Sequence, residues 1–95
     1  MEIEIGSRDV RGWVRGRTDG GHAFDAKVYD LPSVFGIPTE RFPGGGNVSK
    51  LHIRDEVGRE VYAWERGLDF AADGAAALAA GIAAELEAEF CGEAM

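Results

Sequence analysis

Residues 26–51 read AKVYDLPSVFGIPTERFPGGGNVSKL, and the architecture follows from this stretch. Phe24, Ala26 and Val28 alternate with Asp25, Lys27 and Tyr29, which is the period of a strand with one buried face. All three prolines, Pro32, Pro38 and Pro43, come in the next segment together with Gly36 and the run Gly44, Gly45, Gly46. Proline removes backbone donors and fixes φ, while glycine widens the choice of φ, so neither a ladder nor a helix continues there. The spacing predicts one long loop over 30–46. Loops of more than about 12 to 15 residues are uncommon in compact domains and are usually functional or disordered. Leu31, Val34, Phe35, Ile37 and Phe42 make this one too apolar for disorder. We expect it to fold back on the body, with those side chains held down and its tip, 39–46, raised.

Upstream, Val10, Gly12, Val14 and Gly16 alternate with Arg11, Trp13, Arg15 and Arg17, predicting a strand over 9–18. Asp19-Gly20-Gly21 supplies a tight turn into the strand over 22–30, so the two form an antiparallel hairpin. Ile3 and Ile5 suggest a short first strand, stopped by Gly6-Ser7. Downstream, Leu51 and Ile53 alternate with Lys50, His52 and Arg54, a strand over 47–54. Residues 55–58 close a second hairpin with Gly58 at the positive-φ position. The returning strand, 59–66, has Val61, Ala63 and Glu65 on one face and Tyr62 and Trp64 on the other, and the pattern leaves open which is buried. Gly67 ends it.

The last element is a helix over 74–91, with Asp73 as N-cap and Gly92 as C-cap. Ala75, Leu78, Ala79, Ile82, Leu86 and Phe90 fall on one stripe at helical spacing, and Glu87 is expected well away from it. The fold class expected is therefore α+β: a single domain with a four-stranded antiparallel sheet, mostly a meander, and one C-terminal helix on one face.

Ninety-five residues make one domain, and a hydrophobic fraction of 45% supports a core that needs no disulfide or metal. The single cysteine, Cys91, rules out an intrachain disulfide. The acidic start Met1-Glu2-Ile3-Glu4-Ile5 lacks the positive charge of a secretion signal, and no run of about 18 apolar residues exists. The expected setting is a reducing cytoplasm, without a membrane span. Charge is uneven: from Asp69 onward there are six acids and no Lys or Arg, so most of the net charge of -7 lies on the C-terminal element. That argues against a duplex DNA binder and fits a protein docking on a basic partner surface. A solvated helix face in an ordinary acidic protein explains the same charge.

Two candidate surfaces follow. The first is a partner-binding surface made of Glu85, Glu87, Glu89 and Glu93 on the helix with the loop tip Thr39, Glu40, Arg41 and Phe42. The second is the open sheet face, where Trp13, Arg15, Arg17, Lys27, Tyr29, Lys50, His52 and Arg54 place aromatic rings among cations, as single-stranded nucleic acid requires. Asp9, Asp25, Asp55 and Glu65 lie close enough in sequence to neutralise those cations. His22, His52, Asp25 and Asp30 lack the spacing of a metal site. Ser33, His52 and Asp30 lack a nucleophile-elbow pattern. The glycine run lacks the lysine and helix of a phosphate loop. Cys91 sits where negative charge and the helix dipole raise a thiol pKa. The expectation is a non-enzymatic protein without cofactor or metal, monomeric or homodimeric.

The residues Gly12-Trp13-Val14, Phe24-Asp25-Ala26-Lys27-Val28-Tyr29-Asp30, Ser33, Phe35-Gly36-Ile37, Val48-Ser49-Lys50-Leu51 and Arg66-Gly67-Leu68-Asp69 resemble an uncharacterised family of small phage and mobile-element proteins. The likeness covers about 12–69, and the segment PTERFPGGGN is longer here than the usual link. It implies no known activity. Small acidic proteins of this kind are often inhibitors of host machinery, anti-CRISPR proteins among them, so the resemblance implies a host or phage protein complex as partner. A second similarity, to antitoxins, rests on a strand leading into Asp30-Leu31-Pro32, although those proteins continue with a helix where this chain has a proline-rich loop and two strands.

Overall fold

The computed structural model describes residues 2–91. Six strands, β1 (Ile3–Ile5), β2 (Trp13–Thr18), β3 (Ala23–Val28), β4 (Val48–Arg54), β5 (Glu60–Glu65) and β6 (Leu68–Ala71), precede one helix, α1 (Ala75–Phe90). The strands form one sheet in the order β1-β2-β3-β4-β5-β6, every pair antiparallel. The fold is thus α+β, a six-stranded antiparallel meander with one C-terminal helix packed against it.

The sheet has two strands more than the four expected. Ile3 and Ile5 do make β1, pairing with Thr18 and Gly16. Gly67 does not end the sheet. The Glu65 amide donates to the Gly67 carbonyl at 2.9 Å, and Arg66 takes φ 63, so the chain reverses at once into β6. Residues 9–12, expected in β2, instead form a turn. The Asp9 carboxylate accepts from the amides of Arg11 and Trp13 at 2.8 and 3.0 Å, so the backbone has a local alternative to the ladder. These bonds, that from Trp13 foremost, hold the Asp9 pKa below its ordinary value. The second hairpin turns at Gly58, φ 87, as predicted.

Register decides the faces. Phe24 pairs with Ile53, Ala26 with Leu51 and Val28 with Val48, and these six side chains are essentially inaccessible. Ile53 pairs in turn with Tyr62 and Leu51 with Trp64. The face of β5 left open by the sequence is thereby fixed, with Tyr62 and Trp64 on the helix side. From α1, Ala75, Ala79, Ile82, Ala83 and Leu86 cover this surface. Burying a Leu or Ile side chain contributes roughly 1.5 to 3 kcal/mol, so Leu51, Ile53, Ile82 and Leu86, all at 0% exposure, anchor the two layers.

The helix begins differently from expectation. Gly74, not Asp73, is the N-cap, in the left-handed conformation at φ 81 and with no side-chain cap bond. The Ala75 amide donates to the Ala72 carbonyl at 3.0 Å, closing the entry turn without Asp73. Cys91 is the C-cap, its amide donating to Glu87, and the expected cap Gly92 lies outside the described residues.

Candidate functional site

The long loop folds as two arms drawn together. The Ser33 amide donates to Gly46 at 3.1 Å, Gly46 to Ile37 at 3.0 Å and Ile37 to Val48 at 2.9 Å, so Ile37 extends the end of β4 as a short ladder. Thr39 and Phe42 exchange backbone bonds at 3.2 and 3.1 Å. The expected tip is therefore a closed turn, not a raised finger.

What fixes that turn to the helix is Glu87. Its side chain is 0% exposed, accepting from the Thr39 hydroxyl at 2.9 Å and from the Asn47 amide at 3.1 Å. Expected on the outer helix face, Glu87 is on the inner one, because it continues the row Ala75, Ala79, Ala83 at four-residue spacing, all buried. It is unavailable to a partner. Thr39, Arg41 and Phe42 are half-buried, with the Arg41 guanidinium 5.7 Å from the Phe42 ring centroid, and Glu40 is exposed. Of the acidic helix residues, Glu85 and Glu89 are exposed, and Glu93 lies outside the described residues.

The loop's first arm reverses another expectation. Leu31 and Val34, expected to be held down, are 77% and 80% exposed, and Phe35 is 46% exposed. Only Ile37 is fully buried and Phe42 partly so. The arm is nevertheless tied: the Trp64 indole donates to the Phe35 carbonyl at 2.8 Å, and the Arg66 guanidinium lies 4.3 Å from the Phe35 ring centroid. Trp64 pairs with Leu68, itself 59% exposed. An apolar surface thus runs from the loop to the β6 edge.

On the open sheet face, register brings the expected residues into rows. Trp13 pairs with Lys27 and Lys27 with Lys50; Arg15 pairs with Asp25 and Asp25 with His52. The acids interleave with the cations as charge partners. Asp25 receives Arg15 at 3.2 Å and Arg54 at 2.9 Å, and Glu65 receives Lys50 at 3.4 Å. Asp9 and Asp55 are spent on turns instead, Asp55 accepting from the Val57 and Arg59 amides. Lys27 differs, lying 5.9 Å and 5.5 Å from the Trp13 and Tyr29 ring centroids. Arg17 pairs in register with Glu4 and Ala23.

His52 is held between Glu60, 3.1 Å from Nδ1, and Glu65, 2.6 Å from Nε2. Burial works against its protonation, but the hydrogen bonds and charges of the two carboxylates outweigh this and raise its pKa. The His52 hydrogen bond is in turn the main cause of the lowered Glu65 pKa. Only the imidazolium donates from both ring nitrogens. The histidine contribution is complete below the ordinary value of 6.5 and is lost as pH rises through the raised one. The Glu65 contribution is present above 4.5 and is lost as pH falls through the lowered one. We expect the cluster to stabilise most between those two values, and His52→Ala to flatten the pH dependence of stability across neutrality. A native-state His52 pKa at or below 6.5 by NMR titration would contradict this.

The other constellations are dispersed. Asp30 pairs with Arg8 at 3.1 Å, and Ser33 Oγ accepts from the Phe35 amide at 3.1 Å, while His52 is held by glutamates. Cys91 donates to the Tyr29 carbonyl at 3.5 Å. Its thiol pKa is raised, chiefly by burial, with Arg8 opposing and Glu87 and Asp30 adding to the effect. No described helix is long and apolar enough to cross a membrane.

No curated protein and no solved structure matches the chain. A family model does match, over residues 12–87, spanning the sheet from the Trp13 turn through the buried Glu87. The chain therefore belongs to the family described as the domain of unknown function DUF7678.

Proposed function

We propose that the protein is a non-enzymatic binding module that acts by docking on a macromolecular partner, inhibition of a host defence complex by a phage or mobile-element protein, anti-CRISPR-like, being the sharpest form of that reading. The observation that carries it is the loop's first arm, where Leu31, Val34 and Phe35 stand exposed on a segment anchored by the Trp64 and Arg66 contacts. Exposed apolar clusters on a small folded chain mark interaction sites. An anchored arm loses little entropy on binding. The exposed Glu85 and Glu89 suit a partner with basic rim residues, which adds mainly to the association rate.

Affinity capture of the tagged chain from its host tests this. A specific protein complex is expected, lost when Leu31, Val34 and Phe35 are all changed to serine and captured more slowly when Glu85 and Glu89 are changed to lysine. Both variants should keep the parent's melting temperature, because none of the five side chains is buried. Capture by the serine variant equal to that of the parent, or turnover of a small metabolite with no captured macromolecule, would overturn the proposal.

A further inference from the structure

Between the loop's first arm and the end of β4 lies a cleft of about 630 Å³, lined among others by Lys27, Tyr29, Phe35, Ser49, Lys50 and Arg66. That volume is within the range of small-molecule sites, roughly 300 to 1,000 Å³. Four observations about its lining converge.

Ser49 is the extra residue where the β3–β4 register shifts: Val28 pairs with Val48 and Lys27 with Lys50, leaving Ser49 without a pair. Such bulges re-aim side chains and are frequent beside active sites. Ser49 is 4% exposed, and its hydroxyl has no hydrogen-bond partner among the described residues. A buried hydroxyl left unpaired is unfavourable unless something supplies its bond.

Arg66 is held in place at the cleft wall by its own backbone. It is the one described non-glycine residue with positive φ, 63, and its amide donates to the Ser49 carbonyl at 2.8 Å. Gly67 follows it directly, yet the left-handed position itself carries an arginine.

The cations of the cleft divide into two kinds. Lys50 is paired with Glu65 at 3.4 Å, whereas Lys27 and Arg66 contact rings, Tyr29 and Trp13 for the lysine and Phe35 for the arginine. Among the described residues neither has a carboxylate partner. The nearest lining acid, Asp30, is itself paired with Arg8.

We propose that this cleft binds a phosphate ester carrying a planar or apolar group, a nucleoside monophosphate unit being the form that uses every feature of it. Two unpaired cations and a hydroxyl donor suit an acceptor with three oxygens and nearly two negative charges better than a two-oxygen carboxylate. Tyr29 and Phe35, each about half exposed, wall the space where the organic group would lie, as aromatic rings do for unstacked bases. The site is independent of the apolar docking surface, since it needs neither Val34 nor the acidic helix face.

The test is an amide-resolved NMR titration of the full chain with inorganic phosphate, AMP, UMP and a short single-stranded oligonucleotide. Saturable shifts at Ser49, Lys50 and Arg66 are expected, with the nucleotides tighter than inorganic phosphate. Two variants separate binding from folding. Ser49→Ala removes an unpaired hydroxyl, and Arg66→Gly removes the guanidinium while relaxing a left-handed residue, so neither should lower the melting temperature. Each should weaken AMP binding, Arg66→Gly by about tenfold, the loss expected for one charge-assisted contact. An oligonucleotide binding more tightly than the mononucleotides assigns the site to a strand; equal affinity assigns it to the free nucleotide. Absence of saturable shifts at those amides, or unchanged affinity in both variants, overturns the proposal.

Discussion

Replacing Glu87 by alanine is expected to lower stability by about 3 to 5 kcal/mol, from the loss of a buried side chain together with an orphaned buried donor. The carboxyl is the partner of the buried Asn47 amide and of the Thr39 hydroxyl. Without it, that amide faces a cavity. In a domain of this size the change corresponds to a fall in melting temperature of more than about 12 °C. Glu87→Gln keeps the volume and one acceptor oxygen and should cost only about 1 to 2 kcal/mol. Urea denaturation checks both values, and amide exchange at Asn47 should rise before that of β4. A Glu87→Ala variant within 1 kcal/mol of the parent by the same measurement contradicts the lock described above.

Alanine at Gly36 or Gly45 is expected to be comparably damaging, by more than about 3 kcal/mol, because backbone must move at either site. A Cβ on Gly36 would overlap the Gly46 backbone, and one on Gly45 would overlap the Ser33 carbonyl while Gly45 stands at φ 134. No flexible side chain can yield at either place. Gly44, where a Cβ meets nothing within 4 Å, is the internal control, and Gly44→Ala should remain within about 0.5 kcal/mol of the parent. Equal stability of the three variants would show that the two arms are not clamped as described.

The meander and its helix were legible because β2 to β5 carry unbroken alternation and because glycine-bearing turns separate them. β6 escaped because Leu68, Asp69, Phe70 and Ala71 are too few to show a period, and the preceding Arg66-Gly67 reads as a terminator. Glu87 was misplaced for a different reason. The helix is mostly alanine, so its two sides differ little in apolarity, and a stripe drawn through the large residues is shifted from the one the sheet covers. Leu31, Val34 and Phe35 were expected to be buried because apolar character does not say whether a residue faces its own core or a partner. The open-face cations were placed on the right face, yet their pairing with Asp25 and Glu65 depends on register, which one residue of slip at Lys27 and Val28 reorders. Ser49 could not be singled out without that slip.

The sequential pairing of all six strands also governs the order in which the chain can assemble. The hairpins β2–β3 and β4–β5 close over short turns, events of roughly 1 to 10 μs. Joining them through β3–β4 requires closing the long loop, whose entropic penalty grows only slowly with length but must be met before its contacts form. Burial of Phe24, Ala26, Leu51 and Ile53 at that junction is the natural nucleus. The Glu87 lock and the clamped arms then form late, once the helix has docked. Substitutions at Glu87, Gly36 and Gly45 should consequently accelerate unfolding while leaving refolding nearly unchanged, and substitutions at Leu51 should slow refolding. The loop thus governs how long the native state persists, whereas the speed of folding is set at the β3–β4 seam.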